Sequence, residues 1–598
     1  MRIKLKNDKI LFGIGIGVLI FCQVYVWRLN RFLDPLWYVV CFALLAFMYV
    51  QMCKAPPKSR EFIIGGAFSL IVSMVFVVGK KISFNNDVFG SYTTNFIYPM
   101  EIKDWIGVLC WIPLVFVVVY GLCCVARRYA LPIQEQKLSK KNSLLLWLLL
   151  SGFIMICWLP YLFAYYPGVV VGDSIASINQ ALNKTPYTNH YPVMYTLFIK
   201  FFLEIGGLTG SYNRGVFLYS CAQYTLMAAT AGYCVYWMLR KRVPWILAMM
   251  AELYFAFTKI FAVYAISMWK DPLFSAALLL FCLLLLDIGI SKGQKLRETK
   301  VIAAFIFLGC VIIFWRNNGI YLVAGISVIL AIVYRKQFLK LGTRVLAMIL
   351  VCVLIQGPIY DAMGVGKDTA AESLGVPIQQ LAGVIVKDRE LTEEQKQVLF
   401  QVLPEAQWKA FYTPAIVDSL KFHGEFNQQY LEENVGDFLK VWLQLLLPNL
   451  DVYVEAYLMD TIGFWQIGLK NSAGFYYFYV DENNDFNIQR VDMAERLLGI
   501  PLEDELMWWV TYMSTGALVW LVLLGGVLTW MQKKYVLLLG FFPPVLLWLT
   551  IMLATPIAFS LRYIYLLAYG LPLFLLLPFL RVEGKEDEII TKEIKENE

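Results

Sequence analysis

Long apolar runs alternate with short polar connectors along most of the chain. Runs such as ILFGIGIGVLIFCQVYVW and LLLWLLLSGFIMICWLPYLF approach the roughly 20 residues that a helix needs to cross about 30 Å of hydrocarbon. The pattern therefore predicts an all-α polytopic membrane protein with about 14 transmembrane helices. The predicted spans are about 10–27, 36–53, 62–79, 105–126, 144–163, 215–238, 244–264, 272–290, 300–314, 319–334, 344–360, 507–530, 535–556 and 562–580.

Clusters of lysine and arginine in the connectors predict the cytoplasmic side. These clusters run from residues 2–9 to Arg581, and all of them fall on that side only if residues 190–206 do not cross the membrane. That segment contains Lys200 and Glu204, so we expect a juxtamembrane or re-entrant helix at the outer face. The basic N-terminal flank lacks a cleavage pattern and predicts an uncleaved first span. Both termini are predicted to be cytoplasmic.

Composition excludes a water-soluble protein. Hydrophobic residues make up 59% of the 598 positions and charged residues 16%, and the mean hydropathy is +0.62. The net charge of +7 resides in short connectors, where it sets orientation, so we expect no nucleic-acid partner. No cysteine follows Cys352, which excludes a disulfide framework or a cysteine nucleophile from the large polar segment beyond it.

The spans and the charges divide the chain into five parts. We predict a four-span N-terminal extension (1–130), a core (144–360) whose outer loop covers 164–214, a small extracytoplasmic α+β domain (361–505), C-terminal spans (506–581) and a charged cytoplasmic tail (582–598). Within the extracytoplasmic part, LTEEQKQVLFQVL has Thr392 and Gln395 in capping-box spacing and predicts an amphipathic helix. The stretch GFYYFYVDENNDFNI predicts a β-hairpin.

Isolated polar residues fall at the predicted outer ends of spans that are far apart in the sequence: Asp173, His190, Lys270, Asp271, Arg316 and Arg562. Ionisable groups at membrane depth are costly, so they pair with one another or mark a functional site. Each also has a local interpretation. Asp173 and Asp271 suit helix N-caps, the three cations could reach the head groups, and the imidazole could accept a backbone hydrogen bond. Taken together, the six residues supply a carboxylate that can remove a proton from an acceptor hydroxyl and several cations that can hold a phosphate leaving group.

Around these residues the sequence resembles the GT-C superfamily of membrane glycosyltransferases, which includes the protein O-mannosyltransferases and the lipid A aminoarabinose transferase. The resemblance covers roughly residues 144–360 and is carried by WLPYLFAYYPGVVVGDSIASINQAL, NHYPVMYTLF, YWMLRKR and WKDPLF. More particularly, DSIASINQAL, WKDPLF, FWRNNG, SLGVPIQQLAG and LTEEQKQVL are similar to a bacterial family of GT-C-like proteins without an assigned substrate. The resemblance implies a GT-C-like fold with juxtamembrane helices in the outer loop.

The resemblance to the GT-C superfamily also implies a bacterial plasma-membrane enzyme that moves a sugar from a polyprenyl-phosphate donor to a cell-envelope acceptor. That acceptor is a polymer, a glycolipid or a protein. In this interpretation Asp173 is the general base, Asp271 assists or orients the acceptor, and His190 orients Asp173 or contacts the phosphate. The donor phosphate is held by Lys270, Arg316 and Arg562.

One departure from the superfamily concerns metals. Ser174 stands where a second carboxylate often occurs, which leaves one carboxylate and one imidazole in the loop, a weak set for a divalent ion. We assign no metal ligand and no cofactor, and leave a divalent metal open.

Two other function classes stay open: a transporter or flippase of lipid-linked sugars, and a non-enzymatic envelope-assembly protein. The transporter is disfavoured because the polar groups gather at one face and the sequence shows no paired interrupted helices.

Overall fold

The computed structural model describes residues 2–30, 35–85, 87–136, 138–468, 479–481, 484–502, 506, 513–554 and 557–582. This part of the chain is mostly helical, which confirms a helical membrane protein. Two short strand pairs occur in it. Ile82–Ser83 pairs antiparallel with Phe96–Ile97, with Ile82 opposite Ile97, and Leu131–Pro132 pairs parallel with Leu580–Arg581, with Leu131 opposite Leu580.

The N-terminal extension contains four helices that pack mainly on the fourth. At one end of this group Arg127 pairs with Glu61 at 2.5 Å, and the hydroxyl of Tyr120 donates to the carbonyl of Ala55 at 2.8 Å. The ion pair joins the third and fourth helices, and the hydrogen bond holds the connector that precedes the third helix. The four helices are Arg2–Asn30, Pro35–Lys54, Ser59–Lys80 and Ile102–Arg128.

The core is built around the helices Tyr212–Arg240 and Lys270–Ile290, whose side chains are buried on most faces. Gly232 lets Lys140–Ala164 approach closely, since a Cβ there would lie 2.7 Å from the backbone nitrogen of Ser151. The helices of this part are Lys140–Ala164, Asp173–Ala181, Val193–Leu208, Tyr212–Arg240, Trp245–Phe257, Lys259–Ile266, Lys270–Ile290, Thr299–Trp315, Gly319–Val333, Arg335–Leu354 and Tyr360–Ala362, with a 3₁₀ turn at Gln294–Arg297 and a π turn at Ile355–Ile359.

Six of the described helices are long and apolar enough to cross a membrane, or up to eight if each of two bent pairs is one span. Several other helices over predicted spans are apolar but shorter, such as Thr299–Trp315 and Gly319–Val333, so fourteen spans stay a prediction. The six are Trp37–Lys54, Ser59–Lys80, Ile102–Arg128, Lys140–Ala164, Lys270–Ile290 and Leu341–Ala362.

The two bent pairs correct the expectation that no paired interrupted helices exist. Trp245–Phe257 and Lys259–Ile266 meet at 53°, and Leu561–Tyr569 and Leu571–Phe579 meet at 49°. Each break frees backbone groups within a predicted span, which proteins tolerate where the break is buried. The two pairs pack on each other through stacked rings, with Tyr264 and Tyr565 centroids 4.6 Å apart.

The segment predicted not to cross forms the helix Val193–Leu208. It packs on the first turns of Tyr212–Arg240, at the end opposite Arg240. Tyr195 bonds Tyr219 between hydroxyl oxygens 3.2 Å apart, and a Cβ on Gly206 would lie 2.5 Å from the backbone nitrogen of Gly215. The helix therefore lies beside the end of the bundle that carries the candidate site residues.

In the polar segment, residues 361–505, the described residues form short helices joined by irregular connectors, with a buried cluster around Trp408 and Leu399. β-Pairing of its described residues is limited to isolated bridges, such as Ile416 with Ile557. The predicted capping box of Thr392 and Gln395 is confirmed. Of the β-hairpin predicted over 474–488, residues 474–478 and 482–483 lie outside the described residues, and in the described part Val480 forms an isolated bridge with Val170. The helices are Ala370–Ser373, Gly375–Val386, Glu393–Val402, Glu405–Phe411, Asp418–Lys421, Gln428–Glu433, Val435–Leu446, Leu450–Asp460 and Met493–Leu498, with a 3₁₀ turn at Ile462–Phe464.

The C-terminal part returns to the bundle and brings the last predicted cation to the site. Its helices are Thr515–Met531, Tyr535–Leu538, Phe542–Leu553, Tyr565–Tyr569 and Leu571–Leu576, with 3₁₀ turns at Leu561–Ile564 and Leu577–Phe579. The charged tail predicted for 582–598 lies outside the described residues beyond Val582.

Candidate functional site

A cavity of about 440 Å³ lies where the polar segment meets one end of the helical bundle. Five of the six candidate residues line it, and the sixth, Asp271, lies behind two of them. The structure therefore brings together residues that are up to 389 positions apart in the sequence. The charged and polar lining is Asp173, His190, Tyr191, Lys270, Arg316, Asn317, Asn318, Asp368, Glu372, Asp418, Lys421, Thr550, Ser560, Arg562 and Tyr563.

Asp173 lies in the first turn of the helix Asp173–Ala181, and the N-cap interpretation for it is wrong. Gly172 is the N-cap, with a φ of +43° that favours glycine, and no side chain caps the helix. The carboxylate of Asp173 instead accepts a hydrogen bond from Arg562 Nη2 at 2.8 Å. Burial raises the pKa of Asp173, but the charges of Arg562 and Lys270 lower it more, so the net pKa lies below the ordinary value.

Asp271 is 1% exposed and lies between two guanidinium groups, so its N-cap interpretation is also wrong. Arg316 Nη1 is 3.0 Å from one oxygen of the carboxylate, and Arg562 Nε is 3.5 Å from the other. Trp269 takes the N-cap position of Lys270–Ile290 instead. A single carboxylate thus holds two arginines that come from helix ends far apart in the sequence.

The three cations point into the bundle rather than away from it, against the head-group interpretation. Arg316 occupies the predicted break between Thr299–Trp315 and Gly319–Val333 and lies over the rings of Phe274 and Tyr563. Lys270 Nζ donates to the carbonyl of His190 at 3.4 Å. The Nη1 of Arg316 and the Nε of Arg562 are buried beside the carboxylate of Asp271, in ion pairs that do not have hydrogen-bond geometry. All three cations line the cavity, where such side chains can bind an anionic ligand.

His190 contacts a carboxylate that the sequence did not single out. Its Nδ1 lies 3.1 Å from Asp368 Oδ1. Asn317 donates to the other oxygen of Asp368 at 3.5 Å and to the carbonyl of Asn189 at 2.9 Å, which holds the pair at the cavity wall. Burial raises the pKa of Asp368, but the hydrogen bond and charge of His190 lower it more, so it stays below its ordinary value.

The polar segment supplies a second group that sequence reasoning missed. Lys421 Nζ lies 2.7 Å from Glu372 and 2.9 Å from Asp418, and Phe422 beside it is 66% exposed. Burial raises the pKa of Asp418. The spacing of Asp418 and Lys421, three positions apart on one short helix, was a signal for an ion pair but not for a place in this cavity.

Metal binding has no support in the described residues, which contain no group of three or more histidine, cysteine, aspartate or glutamate side chains arranged to hold an ion. The chemistry that these side chains can perform is proton transfer by Asp173 or His190 and anion binding by the arginines and Lys270.

Comparison with known proteins gives one match. The model of the Family of unknown function (DUF6020) matches residues 181–592. This range contains every cavity residue named above except Asp173, and it excludes the four N-terminal helices. No curated protein and no solved structure shows significant similarity to the chain. Since the matched range covers more than half of the sequence, the chain belongs to the Family of unknown function (DUF6020).

Proposed function

We propose that the protein is a glycosyltransferase that moves a sugar from a polyprenyl-phosphate donor to a cell-envelope acceptor outside the plasma membrane. The observation that carries this proposal is the cluster of three cations, Lys270, Arg316 and Arg562, that lines one cavity together with the carboxylate of Asp173. Arginine and lysine side chains form charge-assisted hydrogen bonds with phosphate oxygens, so a cluster of them suits a phosphate. An anion site next to a base is what group transfer from a lipid phosphate needs.

The proposed reaction begins with donor binding. The phosphate competes with Asp173 for Arg562, which releases the carboxylate from its ion pair. Because the pKa of Asp173 is lowered, the carboxylate is ionised at neutral pH and can accept a proton. The acceptor hydroxyl attacks the anomeric carbon and loses its proton to Asp173, while the bond from that carbon to the phosphate oxygen breaks. Lys270, Arg316 and Arg562 stabilise the charge that grows on the phosphate.

The remaining predicted roles follow from position. Asp271 contacts both arginines but does not line the main cavity. Its role is therefore to orient the two guanidinium groups that bind the phosphate, rather than the acceptor. The polar segment covers the cavity from the other side through Glu372, Asp418 and Lys421. That cover excludes bulk water and provides the surface that meets the acceptor.

A transporter of lipid-linked sugars is the second candidate, because the two bent helix pairs are of the kind that transporters use at substrate sites. The packing between the pairs speaks against it. The rings of Tyr264, Tyr565, Phe261 and Tyr569 fill the space between the bends, and all four side chains are fully buried. The charged residues gather at one end of the bundle rather than beside these bends.

Mass spectrometry of polyprenyl-phosphate sugars and envelope polymers would test the proposal. Cells would carry the wild type, Asp173→Asn, or the control Asp437→Asn, which removes an exposed aspartate of the polar segment. We expect Asp173→Asn to lose one sugar from one polymer while the lipid-linked donor accumulates, and the control to match the wild type. Unchanged polymers with Asp173→Asn at wild-type abundance would refute transfer by this site. Donor trapped on the cytoplasmic side would favour the transporter.

A further inference from the structure

We infer that His190, held in one tautomer by Asp368, is a proton relay that takes the acceptor's proton from Asp173 and passes it to solvent. The inference rests on the proposed function and adds two roles to it: a catalytic role for His190 and a positioning role for Asp368. Each transfer leaves one proton inside the cavity, and the general base must lose it before the next turnover. His190 is the group that the geometry offers for this step.

The tautomer follows from the contact with Asp368. The pKa of that carboxyl lies below its ordinary value, so near neutral pH it is ionised and can only accept hydrogen bonds. The Nδ1 of His190, 3.1 Å from Oδ1, must therefore carry the hydrogen and donate. In the neutral ring this leaves a lone pair on Nε2, which makes no hydrogen bond to the described residues. The pair thus has the arrangement in which a carboxylate orients an imidazole for proton transfer.

Three further contacts hold this arrangement. Asn317 Nδ2 is 3.5 Å from Asp368 Oδ2, the backbone nitrogen of Thr369 donates to Oδ1 at 3.1 Å, and Lys270 Nζ is 3.4 Å from the carbonyl of His190. They fix the carboxylate from one side and the histidine backbone from the other. The side chains of His190 and Asp368 are still 36% and 33% exposed, so the pair is both anchored and open to solvent.

The direction of proton transfer, from Asp173 to His190, follows from the ordinary acidities of a carboxyl and an imidazolium group. A protonated carboxyl ordinarily gives its proton to a neutral imidazole, because an imidazole binds a proton more tightly than a carboxylate does. Both groups line the same cavity. The proton of the acceptor hydroxyl thus goes first to a carboxylate oxygen of Asp173, then to Nε2 of His190, and finally to water. The electron pair of the broken bond leaves with the phosphate, and no other reactant is required.

Two measurements on the full-length protein in detergent test the relay. The first does not depend on activity: nitrogen NMR of the protein labelled at its two histidines, with His423→Ala removing the second signal. We expect the neutral ring of His190 to carry its hydrogen on Nδ1, and Asp368→Asn to shift it toward Nε2. A ring protonated at Nε2 in the wild type would overturn the inference whatever the protein catalyses.

The second measurement is the rate of sugar transfer with and without added imidazole. We expect His190→Ala to lower kcat by roughly 10- to 100-fold with the donor KM unchanged, added imidazole to restore part of the rate, and His423→Ala to match the wild type. A higher donor KM with an unchanged kcat, or a lower kcat that imidazole does not restore, would make His190 a structural residue. Either result would overturn the relay while the transferase proposal stands. A wild type that transfers no sugar would overturn both.

Discussion

The buried carboxylate of Asp271 should contribute strongly to the stability of the fold. It lies 3.0 Å from Arg316 Nη1 and 3.5 Å from Arg562 Nε. At an effective dielectric constant of about 20, unit charges at these distances attract by about 5 kcal/mol in each pair. Desolvation offsets part of this attraction, and removing one partner of a buried pair costs about 3–5 kcal/mol. We therefore expect Asp271→Asn to lower the free energy of unfolding by about that amount.

Asp173→Asn should destabilise the protein less. The side chain of Asp173 is 41% exposed, and its loss still leaves Arg562 beside Asp271. Unfolding curves in detergent, followed by tryptophan fluorescence, would measure both variants. Asp485→Asn is the matched control, because Asp485 pairs with Lys184 at 3.4 Å while 83% exposed, and such surface pairs contribute only about 0–1 kcal/mol.

The result that would refute this reasoning is an Asp271→Asn protein as stable as the control. The two arginines would then be held by something other than the shared carboxylate. A double-mutant cycle with Arg316→Gln isolates the pair, since a real ion pair makes the two losses non-additive. The contrast between the two aspartates matters for function as well. It separates a carboxylate that supports the site from the one that is the base of the proposed reaction.

Three further predictions follow from the site. Arg562→Lys should weaken binding of polyprenyl phosphate about tenfold or more, measured by titration, because lysine cannot offer two parallel N–H donors. Gly463→Ala should also weaken donor binding, since its Cβ would lie 2.2 Å from the backbone nitrogen of Phe559, three residues before Arg562, whereas Gly424→Ala, with nothing within 4 Å, should not. The lowered pKa of Asp368 contributes stability above about pH 4 that is lost as the pH falls further, so Asp368→Asn should flatten the acid side of a plot of unfolding temperature against pH.

The site could be predicted from the sequence to the extent that topology determines it. Asp173, Lys270 and Arg316 each lie at the end of an apolar run, and the predicted orientation of the runs places those ends on one face. The structure gathers them in one cavity, as that argument expects. Helix ends are therefore where a single sequence is most informative about a membrane site, because apolar periodicity locates them without any knowledge of packing.

Local rules failed for the aspartates because distant partners competed with the backbone. Asp173 could have accepted a backbone N–H at its helix start, but a guanidinium 389 positions away offers a charge-assisted hydrogen bond instead. Asp368 was missed for the same reason, since its partner His190 is 178 positions away and nothing around it in the sequence marks a site. The bend at Thr258 gave no signal either, because no proline or glycine accompanies it.

The N-terminal extension has a physical connection to the site although none of its residues lines the cavity. Phe84, on the loop after its third helix, packs against Phe559 with ring centroids 5.1 Å apart, and Val88 is buried in the same cluster. Phe559 itself has a φ of +70°, a strained conformation for a non-glycine residue that persists only where the surroundings impose it. Its backbone fits against Gly463 of the polar segment. The extension and the polar segment thus fix from two sides the turn that leads into Arg562, and through that turn a part of the chain without site residues is connected to the proposed phosphate site.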